Sequence, residues 1–360
     1  MSGLVALIAL VALWAGYGLV LKKFALKGLI CTRAFSRPTA FAGEEAEMIE
    51  VVRNDRPIPI PWLRVESRVS PYLKLGRQDN LHVSGEMYYS SLFTLMPYQQ
   101  IRRRHRVKFL RRGAYDLGSA SLTAGDLLGA FDVSRDQQMS VPVLVYPRLL
   151  DEGEIPAPLA RMAEETVARR HLLTDPFLVR GIRPYQAGDP VRDIHWAATA
   201  RMGEAQVRLH DYTAQLRLMV IFNAERKDGQ WGDRLMDYEQ EDIERMISIA
   251  ATVCVRALRS GLPVGFGTNM PQGQGRESTV LPPSGGAARE EELLAAFARL
   301  TVVRTLAFPL FLETLTDLSG LDVLVISRFD SEGIQTALDA LRQRNHVQMC
   351  VLPSEGGSDA

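Results

Sequence analysis

The sequence predicts a single N-terminal transmembrane helix, then an all-β sandwich-like domain, then an α/β domain with a mostly parallel sheet. Three observations carry that expectation. Residues 3–21 form an uncharged apolar run, residues 46–146 alternate apolar and polar side chains in short stretches broken by Pro and Gly, and beyond residue 213 continuous apolar strands alternate with helical stripes. A period of two marks half-buried strands. Strand–helix alternation marks a parallel sheet covered on both faces.

Composition bounds the reading. The 360 residues exceed one domain of roughly 100–200. With 46% hydrophobic and 23% charged residues there is enough apolar side chain for a core, which excludes global disorder. Lys plus Arg equals Asp plus Glu at 42 each, yet residues 1–150 carry 20 basic against 12 acidic side chains and residues 151–360 carry 22 against 30. The front half is basic and the back half acidic. Cys31, Cys254 and Cys350 are odd in number, widely spaced and without a CxxC, which argues for a reducing compartment and against a disulfide framework or a cysteine zinc site.

The elements follow in chain order. GLVALIALVALWAGYGLVL (3–21) is 19 residues, about 28 Å as a helix against a hydrocarbon core of ~30 Å. Lys22, Lys23, Lys27 and Arg33 follow it and no basic residue precedes it, the reverse of a cleaved secretory signal. The positive-inside rule then predicts a single-pass inner-membrane protein, anchored in the lipid bilayer by residues 1–23, with its C-terminal bulk cytoplasmic. Residues 24–150 form the β-sandwich-like domain, through stretches such as EMIEVVRN, LHVSGEMYYSSLFTL and VPVLVYP. Residues 151–178 read as a connector with a helical stretch, and residues 179–212 as a distinct segment. In 213–360, LRLMVIF (216–222) is a buried strand. Ile243, Met246, Ile247, Ala250, Val253, Cys254, Ala257 and Leu258 mark one face of a helix over Tyr238 to Ser260. A strand at Pro263 to Thr268, STVLP, a helix at Ala287 to Leu300, LDVLVIS (321–327), a helix at Ser331 to Asn345 and HVQMCVL (346–352) complete the alternation.

The densest signal is RGIRPYQAGDPVRDIHWAATAR (180–201). Gly188-Asp189-Pro190 is a turn, and IHWAATAR can form a short helix with Arg201 near its C-terminal end, where a cation suits the dipole. Arg183, Arg192 and Arg201 can fork onto Asp189, Asp193 or Asp211, with Tyr185 and Trp196 covering the pairs. Two uses stay open: an internal clasp that fixes the segment, or an exposed binding site.

These residues resemble the signature of the bacterial domain-of-unknown-function family 58, R-x-Y-x-x-G-D-x-x-R-x-I-[DH]-W-K-x-[ST]-A-R. The matching positions are Arg183, Tyr185, Gly188, Asp189, Arg192, Ile194, His195, Trp196, Thr199, Ala200 and Arg201. Ala197 stands where the family usually has Lys. VVRNDRPIPIPWLRVE and RRGAYDLGSASLTAGDLLGAF also resemble the family's N-terminal β region. The resemblance implies a von Willebrand factor type A-like (Rossmann-like) domain over 213–360, genes for MoxR-type AAA+ ATPases nearby, and no established activity. Its tolerance of Asp or His at position 195 implies a hydrogen-bonding role there.

A type A domain that binds Mg²⁺ carries Asp-x-Ser-x-Ser after its first strand, since hard cations want oxygen ligands. Here the positions are Asn223, Glu225 and Lys227, and the later strand ends in Ser327-Arg328. The expectation is a degenerate site with no metal and no cofactor. Cys254 and Cys350 sit on apolar faces, the six histidines show no HExxH, and no GxxxxGK[ST] occurs, so nothing points to a thiol enzyme, a zinc hydrolase or a nucleotide hydrolase.

IRRRHRVKFLRR (101–112) holds seven basic residues, with Arg102, Arg104, Arg106 and Lys108 on one face of a strand. Without interleaved aromatics, nucleic acid is not expected as partner. An anionic lipid surface is the functional alternative, and a solvated edge strand guarded by charge the plain one. The favoured function is a membrane-anchored, non-catalytic adaptor or scaffold that docks a protein partner, a MoxR-type AAA+ ATPase by resemblance, in envelope or membrane-complex assembly. The alternatives are a hydrolase or transferase centred on Asp189, His195 and Arg201, and a lipid or nucleic-acid surface binder through Arg102 to Arg112.

Overall fold

The computed structural model describes residues 2–76, 81–84, 88–126, 132–172, 179–186, 189–210, 216–233 and 235–352. The chain divides into two compact units, residues 1–148 and 149–360.

In the first unit, α1 (Ser2–Phe24) precedes β1 (Leu29–Phe35), β2 (Thr39–Phe41), β3 (Glu45–Asn54), β4 (Ile60–Arg68), β5 (Leu73–Leu75), β6 (Leu81–Ser84), β7 (Tyr88–Leu95), β8 (Gln100–Phe109), β9 (Gly113–Asp116), β10 (Ser119–Gly125), β11 (Asp132–Gln138) and β12 (Pro142–Tyr146). One sheet has the order β1-β3-β8-β5, a second β11-β10-β4-β7-β6, and a small third β2-β12-β9. Period-two alternation places the apolar positions between the two larger sheets. Cys31, Val52, Leu63, Val65, Phe93 and Leu122 share one buried cluster, and Met48, Val107, Phe109 and Val143 another.

The expected transmembrane helix over residues 1–23 is not found. Among the described residues no helix is long and apolar enough to cross a membrane, which removes the basis for a single-pass inner-membrane location. Within α1 the side chains from Leu4 to Leu13 are exposed, and Trp14 and Ala15 are half-buried. The Trp14 indole N–H donates to Asp126 Oδ2 at 3.1 Å, and Ala25 and Leu26 are buried in the sheet core.

The second unit contains α2 (Ala157–Leu172), β13 (Val179–Pro184), α3 (Trp196–Met202), β14 (Gln206–His210), β15 (Leu218–Phe222), α4 (Asp237–Arg259), β16 (Val264–Thr268), β17 (Thr279–Ser284), α5 (Ala287–Arg299), α6 (Phe308–Glu313), β18 (Asp322–Ser327), α7 (Glu332–Arg342) and β19 (His346–Val351). The sheet order is β17-β16-β15-β18-β19, with β15, β16, β18 and β19 parallel and β17 antiparallel. Every residue of β15 and β18 is buried, as expected of strands covered on both faces. α4 buries Ile243, Met246, Ile247, Ala250, Val253, Cys254 and Ala257 on one side of the sheet, while α6 and α7 enclose Met219, Ile221, Val323 and Val325 on the other. Sequence periodicity did not mark α6, a single short turn-and-a-half whose helical start is set by Pro309.

Candidate functional site

The signature segment folds as a small module. β13 and β14 pair antiparallel with Arg183 opposite Val207 and Pro184 opposite Gln206. α3 is tied back to this hairpin: His195 N–H donates to the Gln206 carbonyl at 2.7 Å, and Gln206 N–H donates to Thr199 Oγ1 at 2.9 Å. The helix stops at Gly203, whose φ of 74° is a left-handed C-cap. Within the loop, the Arg183 guanidinium forks onto Asp189, with Nη1 to Oδ2 and Nη2 to Oδ1 both at 2.7 Å. Gln186 N–H also donates to Asp189 Oδ2 at 2.8 Å. The Arg183 hydrogen bonds, then the Gln186 N–H, hold the Asp189 carboxyl below the usual range, and the same pair raises Arg183.

His195 is the N-cap of α3. Its Nδ1 accepts from Ala198 N–H at 3.1 Å. Asp is among the strongest N-cap residues, which supplies a physical reason for Asp or His at this position. Asp189 is taken by Arg183 and Gln186, and His195 Nδ1 by its own helix, so the two do not form a nucleophile–base couple. Arg192 lies 3.9 Å from Asp193 with its side chain 85% exposed, and Arg201 is exposed in the last turn of α3. Tyr185 and Trp196, expected to cover the ion pairs, point outward instead at 39% and 67% exposure. The reason is geometric: Trp196 is the first residue of a helix whose half-buried positions are Ala198 and Thr199. Gly188 and Asp211 lie outside the described residues.

The basic strand, β8, is an inner strand between β3 and β5, which corrects the edge-strand expectation. Arg102, Arg104, Arg106 and Lys108 are exposed, while His105, Val107 and Phe109 are buried. Acidic neighbours temper the face: Glu47 is opposite Arg106 and 3.6 Å from Arg104, and Glu45 is opposite Lys108.

A buried polar cluster in the same unit escaped the sequence reading. Arg33 donates from Nε and Nη2 to Glu50 Oε1 at 2.8 and 2.6 Å, and from Nη1 to Ser67 Oγ. Tyr89 OH lies 3.1 Å from Glu50 Oε2 and 2.9 Å from His105 Nε2. Burial pushes the Glu50 carboxyl up, but His105 and Arg33 more than offset this and bring it down to about 2. Burial, with Glu50 beside it, pushes the Tyr89 hydroxyl up. The signal was present in the alternation. Glu50 occupies an inward position between Met48 and Val52, and His105 precedes the inward Val107 and Phe109.

At the carboxyl ends of β15 and β18, where a doubly wound sheet opens its ligand crevice, polar groups fill the space. Asn223 Nδ2 donates to Ser327 Oγ at 3.0 Å, and Glu225 Oε1 accepts from Phe308 N–H at 2.7 Å and from Asn269 Nδ2 at 3.2 Å. Burial raises the Glu225 carboxyl. Arg226 and Arg328 both reach Asp242 on α4, and Arg304 is buried nearby with its Nη2 on the Asp233 carbonyl. Lys227 is exposed. Three guanidinium groups and a carboxylate already engaged by amide donors do not fit a divalent cation. The three thiols are buried, and burial pushes Cys31 up to about 11 and raises Cys254 and Cys350, so none is a poised nucleophile.

The family described as "Protein of unknown function DUF58" matches residues 181–352, covering the signature module and the parallel sheet. This supports the resemblance drawn from the signature. No curated protein matches. Among solved structures, a CARDB domain from Pyrococcus furiosus, solved with di-metal ions, is 15% identical over 33% of this chain and 94% of its own, at a TM-score of 0.22. The seventh ScaB type I cohesin from Pseudobacteroides cellulosolvens is 15% identical over 34% and 96%, also at 0.22. At those scores the likenesses carry no conclusion.

Proposed function

We propose that this protein is a non-catalytic adaptor or scaffold that docks a protein partner through its signature module, with a MoxR-type AAA+ ATPase as the candidate partner. One observation carries the reading: Trp196 stands 67% exposed, and Arg192 and Arg201 of the same module are exposed as well. Large aromatics are rarely left in water, and Trp, Tyr and Arg dominate interface hot spots. The Arg183–Asp189 fork supports it by fixing the loop between β13 and α3, which lowers the ordering cost of binding. The ATPase itself comes from the family resemblance.

We read the α/β unit as a type A-like domain whose ion pocket has been filled by its own side chains. Its strand order, with the first strand central and the crevice at β15 and β18, is consistent with that reading. No observation favours the hydrolase or transferase reading, because Asp189 and His195 are separately engaged.

The test is calorimetric titration of the purified protein with a MoxR-type AAA+ ATPase. Trp196→Ala and Arg201→Glu are each expected to weaken binding at least tenfold while circular dichroism stays unchanged. Equal affinity of wild type and Trp196→Ala overturns the reading.

A further inference from the structure

The parallel sheet of the α/β unit ends on β17 at one side and on β19 at the other, and the two edges differ. β17 carries Pro282 and Pro283 and meets β16 across a register shift, two devices that keep an edge from recruiting another strand. β19 has neither. Its six residues, HVQMCV, run in unbroken register along β18 and include no Pro, Lys, Arg, Asp or Glu. His346 N–H donates to the Leu321 carbonyl at 2.9 Å and Leu352 N–H to the Ser327 carbonyl at 2.8 Å, so the even-numbered residues bond to β18. Alternation along the strand then turns the N–H and C=O groups of Val347, Met349 and Val351 away from the sheet. Among the described residues no strand pairs with them. Their side chains share one face: Val347 and Met349 are half-buried against the cluster under α6 and α7, and Val351 is 43% exposed.

We propose that β19 pairs antiparallel with β19 of a second copy of this chain, about a twofold axis at Met349, so that two five-stranded sheets continue as one. The outward backbone groups dictate the class of occupant, since an extended strand offers donors and acceptors at matching spacing. The side chains of β19 then select its own copy. In this register Met349 faces its counterpart and Val347 faces the counterpart of Val351. About six backbone hydrogen bonds close across the axis. Each cross-strand pair on that face is apolar, and no like charges oppose one another. A twofold contact uses the same edge on both copies, so it closes at a dimer instead of running on into a fibre.

The test is sedimentation velocity of the full chain from about 5 to 500 µM, the range suited to an interface built on one short strand pair. A monomer–dimer equilibrium that shifts with concentration is expected. Met349→Pro removes an N–H that β18 does not use and is expected to weaken association at least tenfold. Oxidative cross-linking reads the register. Residues opposed in a hydrogen-bonded pair have Cα atoms about 5.5 Å apart, within disulfide reach. Met349→Cys is therefore expected to give a disulfide dimer, whereas Val347→Cys, about 14 Å from its counterpart, is not. The native thiols are buried and add little background. If Met349→Pro fails to fold, the two cysteine variants decide. Four results overturn the proposal: a monomer across the whole range, a dimer indifferent to a folded Met349→Pro, cross-linking of Met349→Cys no stronger than of Val347→Cys, or a dimer that forms only after residues 354–360 are deleted, which makes the chain's own tail the occupant.

Discussion

In the β unit Arg33 holds Glu50 with both side chains fully out of water, whereas in the α/β unit Arg183 holds Asp189 with 32% and 16% of the side chains exposed. The chemistry is the same and the consequences differ. Taking two charges out of water costs several kcal/mol each, and only a complete set of partners recovers it. Glu50 has that set in Arg33, Tyr89 and His105, so breaking it strands charges in a dry core. Water can replace any one partner of Asp189. The exposed fork therefore sets the geometry of a loop, and the buried one sets the integrity of a domain.

Glu50→Ala should break the comparison hardest. It leaves Arg33 unpaired in the core, with an expected loss of about 3–5 kcal/mol in urea titrations of the β unit. Arg33→Met combined with Glu50→Leu should recover much of that loss, since a well-packed apolar replacement of a buried pair is often neutral. A small effect of Glu50→Ala would place water in the cluster.

Acid sharpens the same contrast. Because the folded state lowers the Glu50 carboxyl from 4.5 to about 2, its contribution is fully present above pH 4.5 and is lost as pH falls towards 2. That amounts to about 3 kcal/mol. The urea midpoint of the wild type should fall across that window, and Glu50→Gln should flatten the profile; parallel profiles would contradict the assignment.

Smaller effects belong to the signature module. His195→Ala removes the α3 cap at about 1 kcal/mol, visible as faster amide exchange at Ala198, and His195→Asp should restore protection. Asp189→Ala should leave the thermal midpoint within the scatter of repeat melts while speeding exchange at the Gln186 amide. A clear drop in midpoint would make Asp189 as structural as Glu50.

Local pattern located much of this. The α4 stripe and the apolar strands at 218–222 and 322–327 fall where three-residue and continuous apolar periodicities put them, and the crowding of Arg, Tyr, Asp and His marked 180–201 as unusual. The Arg33 cluster was not located, because its directly paired members lie 16 to 55 residues apart along the chain and meet only when β1, β3, β7 and β8 are brought together. The direction in which Trp196 points was missed as well. A two-turn helix has no long periodicity from which to read its buried side.

From sequence alone came the alternation of strand and helix, the charge imbalance between the halves, and Asn223, Glu225 and Lys227 standing after β15 in place of an Asp-x-Ser-x-Ser run, because each is a property of neighbours along the chain. The tertiary structure decided which ion pair is dry, which aromatic faces water, and that α1 docks onto the β unit through Trp14. Those outcomes depend on solvent exclusion by residues distant in sequence, and burial exists only once the sheets and helices have packed.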